Sequence, residues 1–165
     1  MTSTPDLPDA LPSGPGWELH PETLRAHITD LDAFRADRAD DPCSQALEAL
    51  WGGNPARAAD LLTGTAQDFR TRTLHADALC AQGRHGEALA AFGQLLAEVR
   101  DGARTTFLRE HRARTLLAAG RHREAEEAFL EVLAARTMEA AEPVSIAAAA
   151  RGVALARHRA STRGL

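Results

Sequence analysis

The sequence contains no lysine, which excludes the chemistry that depends on this residue. All nineteen basic residues are arginine, so neither a lysine-dependent phosphate-binding loop nor a Schiff base can form. Tyrosine is also absent, and the chain has only two Ile, two Trp and five Phe. A GC-rich genome explains the missing Lys and Tyr, and the abundant residues are Ala, Leu, Arg and Glu. This composition favours helix over sheet.

Cysteines and long apolar runs are equally scarce. Cys43 and Cys80 are the only two cysteines, both lie in segments that we expect to be helical, and no basic and apolar leader begins the chain. No purely apolar run is longer than the one at residues 146–150, which is far below the roughly 18 residues of a membrane-spanning helix. We therefore expect a soluble protein of the reducing cytoplasm, with no membrane contact.

Charge is distributed unevenly along the chain. Residues 1–41 carry nine acids against three Arg, whereas residues 151–165 carry four Arg and no acid, within a net charge of −4. The complementary ends could neutralise each other within one molecule, join two copies head to tail, or form two separate solvated surfaces. The acidic balance of the whole chain argues against general nucleic-acid binding.

The first part of the chain is rich in proline. Residues 1–16 hold four Pro, and their composition predicts a disordered tail. Leu7, Leu11 and Trp17 are the apolar residues that would let this tail act instead as a ligand for its own groove. From Pro21 onwards, apolar residues recur at helical spacing and predict an amphipathic helix that ends near Asp40.

An internal repeat is the most informative feature of the sequence. Residues 83–88 read Gly-Arg-His-Gly-Glu-Ala, residues 120–125 read Gly-Arg-His-Arg-Glu-Ala, and a looser copy begins at Gly53. Three columns align in all copies: a small residue seven before the glycine, another five after it, and a large apolar residue nine after it. They are Ala46, Ala76 and Ala113; Ala58, Ala88 and Ala125; and Leu62, Phe92 and Phe129.

Each copy predicts a helix, a glycine turn and a second helix. Small alanines let the paired helices approach closely, the large apolar residue fills the space between successive pairs, and glycine provides the turn. We expect repeat units at about 42–64, 68–100 and 105–137, followed by a capping helix at 143–160, within one helical domain at 17–165. The fold class is therefore all-α.

The three turn glycines are 30 and 37 residues apart. Together these spacings make 67 residues, one short of two periods of 34. In this respect the chain resembles the tetratricopeptide-repeat (TPR) family. The resemblance implies antiparallel helix pairs stacked as a short right-handed solenoid, with flanking N- and C-terminal helices. It also implies a concave groove lined by the first helix of each pair, whose inward residues here would be Arg70, Thr73, Asp77, Phe107, Glu110 and Arg114.

The predicted function is that of a scaffold or adaptor that binds a peptide or helix of a partner protein in this groove. Phe107 would serve as the apolar anchor, and Arg70 and Arg114 as charge contacts. Residues 104–123 hold six Arg and one acid, which would suit an acidic partner, or else form a solvated face balanced by nearby acids.

The sequence offers no pattern typical of catalysis, of a cofactor or of a metal. His85 and His122 occupy equivalent repeat positions, so we interpret them as part of the repeat unit and not as ligands. We therefore expect a protein that is not an enzyme. Two alternatives stay open: a self-assembling structural protein joined through the Ala-rich last helix or the charged ends, and a regulatory or sensor domain.

Overall fold

Helix dominates the structure, as the abundance of Ala, Leu, Arg and Glu predicts. The computed structural model describes residues 10–162, and within them helix accounts for 69 % and forms eight segments. These are α1 Leu31–Asp37, α2 Ser44–Trp51, α3 Pro55–Thr63, α4 Phe69–Ala81, α5 His85–Glu98, α6 Gly102–Ala118, α7 His122–Met138 and α8 Pro143–Thr162. The prediction of a mainly helical chain is confirmed, with the addition of a small sheet.

The three predicted helix pairs are α2 with α3, α4 with α5, and α6 with α7. Each turn contains its repeat glycine at positive φ: 89° at Gly53, 77° at Gly83 and 74° at Gly120. This left-handed conformation is one that a residue with a Cβ rarely adopts. Side-chain caps begin several of the helices, for example Asp68, whose carboxylate accepts from the Thr71 N–H at 2.8 Å.

The aligned columns of the repeat form the core between helices. All nine column residues are buried, and Phe92 and Phe129 are fully enclosed. Every helix from α2 to α7 packs on its successor, and α4 also contacts both α2 and α6, while α6 contacts α8. The first helix of each pair therefore lies beside the first helix of the next, which places their exposed sides on a common face.

The N-terminal segment, residues 10–30, differs from the predicted helix. Three short antiparallel strands form a sheet in the order β1–β2–β3, with β1 at Ser13–Gly14, β2 at Trp17–Leu19 and β3 at Ala26–Ile28. Part of the predicted disordered tail thus lies in β1, whereas residues 1–9, including Leu7, lie outside the described residues. The helix predicted from Pro21 is wrong as far as Asp30.

Backbone contacts explain why the helix begins so late. The Gly16 carbonyl accepts from the N–H groups of Thr29 and Asp30 at 2.8 and 3.2 Å, which holds this stretch against the sheet. Gly16 has φ of 71°, and a Cβ there would lie 2.1 Å from the Asp30 carbonyl oxygen. The Asp30 carboxylate then caps α1 by accepting from the Ala33 N–H at 3.0 Å.

The Ala-rich face of α8 packs inside the molecule. Ala148, Val153 and Ala156 belong to the same apolar cluster as Phe129 of α7, and a Cβ on Gly152 would lie 2.4 Å from the Phe129 ring. This face is therefore buried against α7 and cannot also receive a second copy. In the described part of the chain, no helix combines the length and apolar character needed to span a bilayer.

Candidate ligand-binding chamber

A chamber of about 770 Å³ lies between the N-terminal segment and the first helices of the repeat pairs. Its walls come mainly from α2, α4 and α6, and residues 12–26 form its roof. The volume lies within the range of pockets that enclose small ligands, roughly 300–1,000 Å³. The chamber exists because the roof spans the shared face of the first helices.

All six residues predicted to line the groove line this chamber: Arg70, Thr73, Asp77, Phe107, Glu110 and Arg114. The residues that the TPR resemblance implies as inward on α4 and α6 therefore all face one cavity. Thr73 is buried, and its hydroxyl donates to the Phe69 carbonyl at 2.8 Å, so it serves the helix more than a ligand. The role of the six residues in partner binding stays a prediction.

The roof is held by apolar contacts at both ends. Near α2, the Trp17 ring lies 5.0 Å from the Trp51 ring, centroid to centroid. At the other end, Leu19 and Leu24 are buried in the cluster that contains Leu116 and Phe129. The structure therefore has a partly enclosed chamber where the sequence predicted an open groove.

Two arginines of α8 also hold the roof. Arg151 donates to the Pro21 carbonyl at 3.1 Å, and Arg159 donates to the Glu22 carbonyl at 2.7 Å. The basic C-terminal helix and the acidic N-terminal region do therefore meet within one molecule. These contacts use backbone carbonyls and not carboxylates, which the charge pattern alone did not predict.

An aromatic wall lines one side of the chamber. Phe107 keeps 38 % of its surface exposed, and its ring centroid lies 4.3 Å from His111 and 6.4 Å from Phe69. The Arg104 guanidinium stacks over the Phe69 ring at 5.0 Å. Phe107 thus presents a large apolar surface at the position where the sequence predicts the anchor.

Glu110 is the central charged group of the chamber. Its side chain is only 8 % exposed, and its carboxylate pairs with Arg114 on the next turn of α6 and with Arg136 of α7 at 3.0 Å. Burial alone raises the pKa of this carboxyl, but the charges of Arg114, His111 and Arg136 outweigh it and lower the pKa below its usual range. Glu110 is therefore ionised at neutral pH.

The other predicted charge contact, Arg70, is also paired. Its guanidinium makes a two-point contact with the Asp41 carboxylate, one bond being 2.8 Å long. Burial raises the pKa of Asp41, but hydrogen bonds from Arg70 and from the Cys43 N–H outweigh it and lower that pKa. Arg70 and Arg114 are therefore each paired with a carboxylate of the protein itself.

Sequence reasoning missed three arginines that line the chamber, Arg25, Arg38 and Arg136, and it also missed Asp41, which pairs with Arg70 from outside the lining. Arg136 meets Glu110 across 26 residues and Asp41 meets Arg70 across 29. Neither separation is a helical spacing within one element, so no local pattern identifies the pairs. Asp77 and His111, which are 2.8 Å apart, are separated by 34 residues. This is one repeat length, so the repeat itself could have predicted that contact.

Cys80 also lines the chamber, and its side chain is buried. Burial raises the pKa of the Cys80 thiol, which disfavours the thiolate that a nucleophile requires. Across residues 10–162, no three His, Cys, Asp or Glu side chains are arranged to hold a metal ion. Comparison with protein-family models, curated proteins and solved structures finds no match to this chain.

Proposed function

We propose that this protein is a binding module that holds a short segment of a partner protein in the chamber. The observation that carries the proposal is that the inward residues of successive repeat units converge on one cavity with an exposed aromatic anchor. Stacked helix pairs of the TPR type bind partners through this face of their first helices. Both cysteines are free, and we propose that the protein acts in the reducing cytoplasm.

The size of the chamber defines what part of a partner would enter it. A ten-residue α-helix, about 15 Å long and 10–12 Å across with its side chains, occupies roughly 1,200–1,700 Å³. The chamber roofed by the N-terminal segment provides about 770 Å³. A short extended segment, or a few side chains that project from a helix outside, fits this space. We therefore assign a peptide of a few residues as the partner's contribution.

Phe107 provides the contact that a partner's apolar side chain would use. It is one of the few large apolar residues with more than a third of its surface exposed, and it lies beside His111 and Phe69. Aromatic anchors of this kind supply a large part of the binding energy at protein interfaces. Replacing Phe107 with Ala should therefore weaken partner binding strongly while costing the fold little.

A displayed library of random peptides tests this proposal. Peptides selected on the wild-type protein should bind Phe107→Ala at least tenfold more weakly, which corresponds to about 1.4 kcal/mol. Leu130→Ala is the matched control, because Leu130 is similarly exposed but lies on α7 outside the chamber. Failure to select any peptide, or equal binding to Phe107→Ala and the wild type, would contradict the proposal.

Arg114→Glu, which the sequence would suggest as a test, is unsuitable. Arg114 pairs with the buried carboxylate of Glu110, so a glutamate in its place would put two carboxylates together in a poorly solvated site. Breaking a buried pair in this way costs about 3–5 kcal/mol. A loss of binding would then report damage to the fold. Phe107→Ala avoids this problem because no ion pair depends on it.

A further inference from the structure

The charges that face the chamber are predominantly positive, although the protein as a whole carries a net charge of −4. Five arginines line it, from five different parts of the chain: Arg25, Arg38, Arg70, Arg114 and Arg136. Only two carboxylates do so, Asp77 and Glu110. Other carboxylates, at Asp37, Asp41 and Glu139, contact the same arginines from outside the lining. These outer carboxylates offset much of the charge, but on the lining itself guanidiniums outnumber carboxylates five to two, so the inner surface is richer in donors for an anion than in ligands for a cation.

Glu110 occupies the position that such an anion would take. Its carboxylate is shared by two guanidiniums, those of Arg114 and Arg136. The Nε–H groups of both arginines are buried and have no hydrogen-bond acceptor, although most buried donors in proteins have one. Two arginines thus share one internal carboxylate and retain unused donors, so a small rotation of either guanidinium could accommodate a second carboxylate.

Apolar surface lies next to this charged pair. Phe107 is three residues before Glu110 on α6, and Phe69, Trp51 and Leu74 also belong to the apolar part of the lining. A ligand that placed a carboxylate at Arg114 and Arg136 would lie with its remaining atoms against these rings. The chamber is complementary to a molecule that has an anionic head and an aromatic or aliphatic body.

We propose that the chamber binds a carboxylate attached to an apolar group, with Arg114 and Arg136 holding the carboxylate and Phe107 and Phe69 contacting the apolar part. Such a group can be an acidic residue beside an apolar one in a partner peptide, or a free arylalkyl carboxylate. Only the first source rests on the proposed function. Glu110 acts as an internal competitor for the same two arginines.

Calorimetric titration with 4-phenylbutyrate tests the proposal without any partner protein. The neutral amide, 4-phenylbutyramide, is the comparator, because it has the same apolar body and no charge. We expect the carboxylate to bind at least about tenfold more tightly than the amide, in keeping with the strength of charge-assisted hydrogen bonds. Equal affinity for the two compounds, or no binding of either, would overturn the proposal.

Glu110→Gln sharpens the test, because it removes the competing charge with almost no change in shape. Affinity for 4-phenylbutyrate should rise by about tenfold. Glu124→Gln is the matched control: it also removes one carboxylate paired with an arginine, but Glu124 is exposed and its partner Arg121 lies outside the chamber. A rise of the same size in both variants would attribute the effect to net charge and overturn the assignment to Arg114 and Arg136.

Peptides selected in the library experiment distinguish the two sources of the carboxylate. A partner peptide should contain an acidic residue beside an apolar one, and replacing that Asp or Glu with Asn or Gln should weaken its binding. Peptides that depend on Phe107 but bind equally well after this replacement would support the proposed function and overturn this inference. If no peptide is selected but 4-phenylbutyrate still binds more tightly than its amide, the inference holds with a free small molecule as the ligand.

Discussion

The N-terminal segment and the helical array are held in place in opposite ways. Each helix of the array satisfies its own backbone hydrogen bonds and packs on its successor along the chain. The segment has three strands of two or three residues, too few to be stable alone. It depends on distant side chains such as Trp51, Arg151 and Arg159.

This difference separates the stability of the helical array from access to the chamber. A change in the core between α7 and α8 should destabilise the whole array, because those helices bury each other. A change that only releases the segment should open the chamber and leave the helices folded, since local opening requires less free energy than global unfolding. The predictions below test this division.

Phe129→Ala should have the largest effect. Phe129 is fully buried in the cluster that joins α6, α7, α8 and the N-terminal segment, and truncating such a residue costs about 3–5 kcal/mol. Denaturant unfolding monitored by circular dichroism measures this loss. Leu130→Ala is the control, because Leu130 is the next residue on α7 and is 44 % exposed; a similar loss in both variants would contradict the assigned packing.

Gly152→Ala and Gly93→Ala should change stability in opposite directions. A Cβ on Gly152 would lie 2.4 Å from the Phe129 ring, whereas a Cβ on Gly93 in α5 would meet nothing within 4 Å. Overpacking costs about 1–3 kcal/mol, and replacing an unconstrained helical glycine with alanine gains about 0.4–1 kcal/mol. Thermal unfolding of the two variants checks both signs. A stabilising Gly152→Ala would disprove the close contact of α7 and α8.

Trp17→Ala should release the N-terminal segment and spare the array. Trp17 is half-buried against Trp51, so we expect a loss of about 1–2 kcal/mol, below the roughly 3–5 kcal/mol of a fully buried tryptophan. Hydrogen exchange should accelerate at the His20 N–H, which donates to Arg25, and stay unchanged in α6. Leu31→Ala, at an exposed residue next to the segment, is the control. Equal acceleration in α6 would show that segment and array unfold together.

The helices were predictable because their signals are local. The glycines of the turns, the aligned alanines and the apolar residue nine positions after each glycine specify where α2 to α7 begin, end and pack. The TPR resemblance, which rests on the same repeat, implied the six inward residues of α4 and α6 that line one chamber. Each of these inferences needs only a few neighbouring residues of sequence.

The N-terminal segment was not predictable in this way. Leu24 and Ile28 have the spacing of a helix, yet Leu24 has a positive φ of 54° and Ile28 lies in β3. Leu24 takes its conformation from burial against a helix more than 80 residues away, where it packs with Leu116. The charge pairs that bridge elements, such as Glu110 with Arg136, were missed for the same reason.

Acid should distinguish Glu110 from the exposed carboxylates of the array. Its pKa in the folded protein is below the ordinary value near 4.5, so the ionised form is favoured by folding. The resulting stability is present in full above about pH 4.5 and is lost as the pH falls through the lowered pKa. Glu110→Gln has no such proton to bind, so the difference in unfolding free energy between wild type and variant should be constant above that range and shrink below it.

Both proteins contain the same other carboxylates, so the difference in unfolding free energy between them isolates Glu110. A difference that does not change between pH 7 and pH 3 would show that Glu110 is not held ionised by Arg114 and Arg136, and would remove the basis for treating it as a competitor in the chamber.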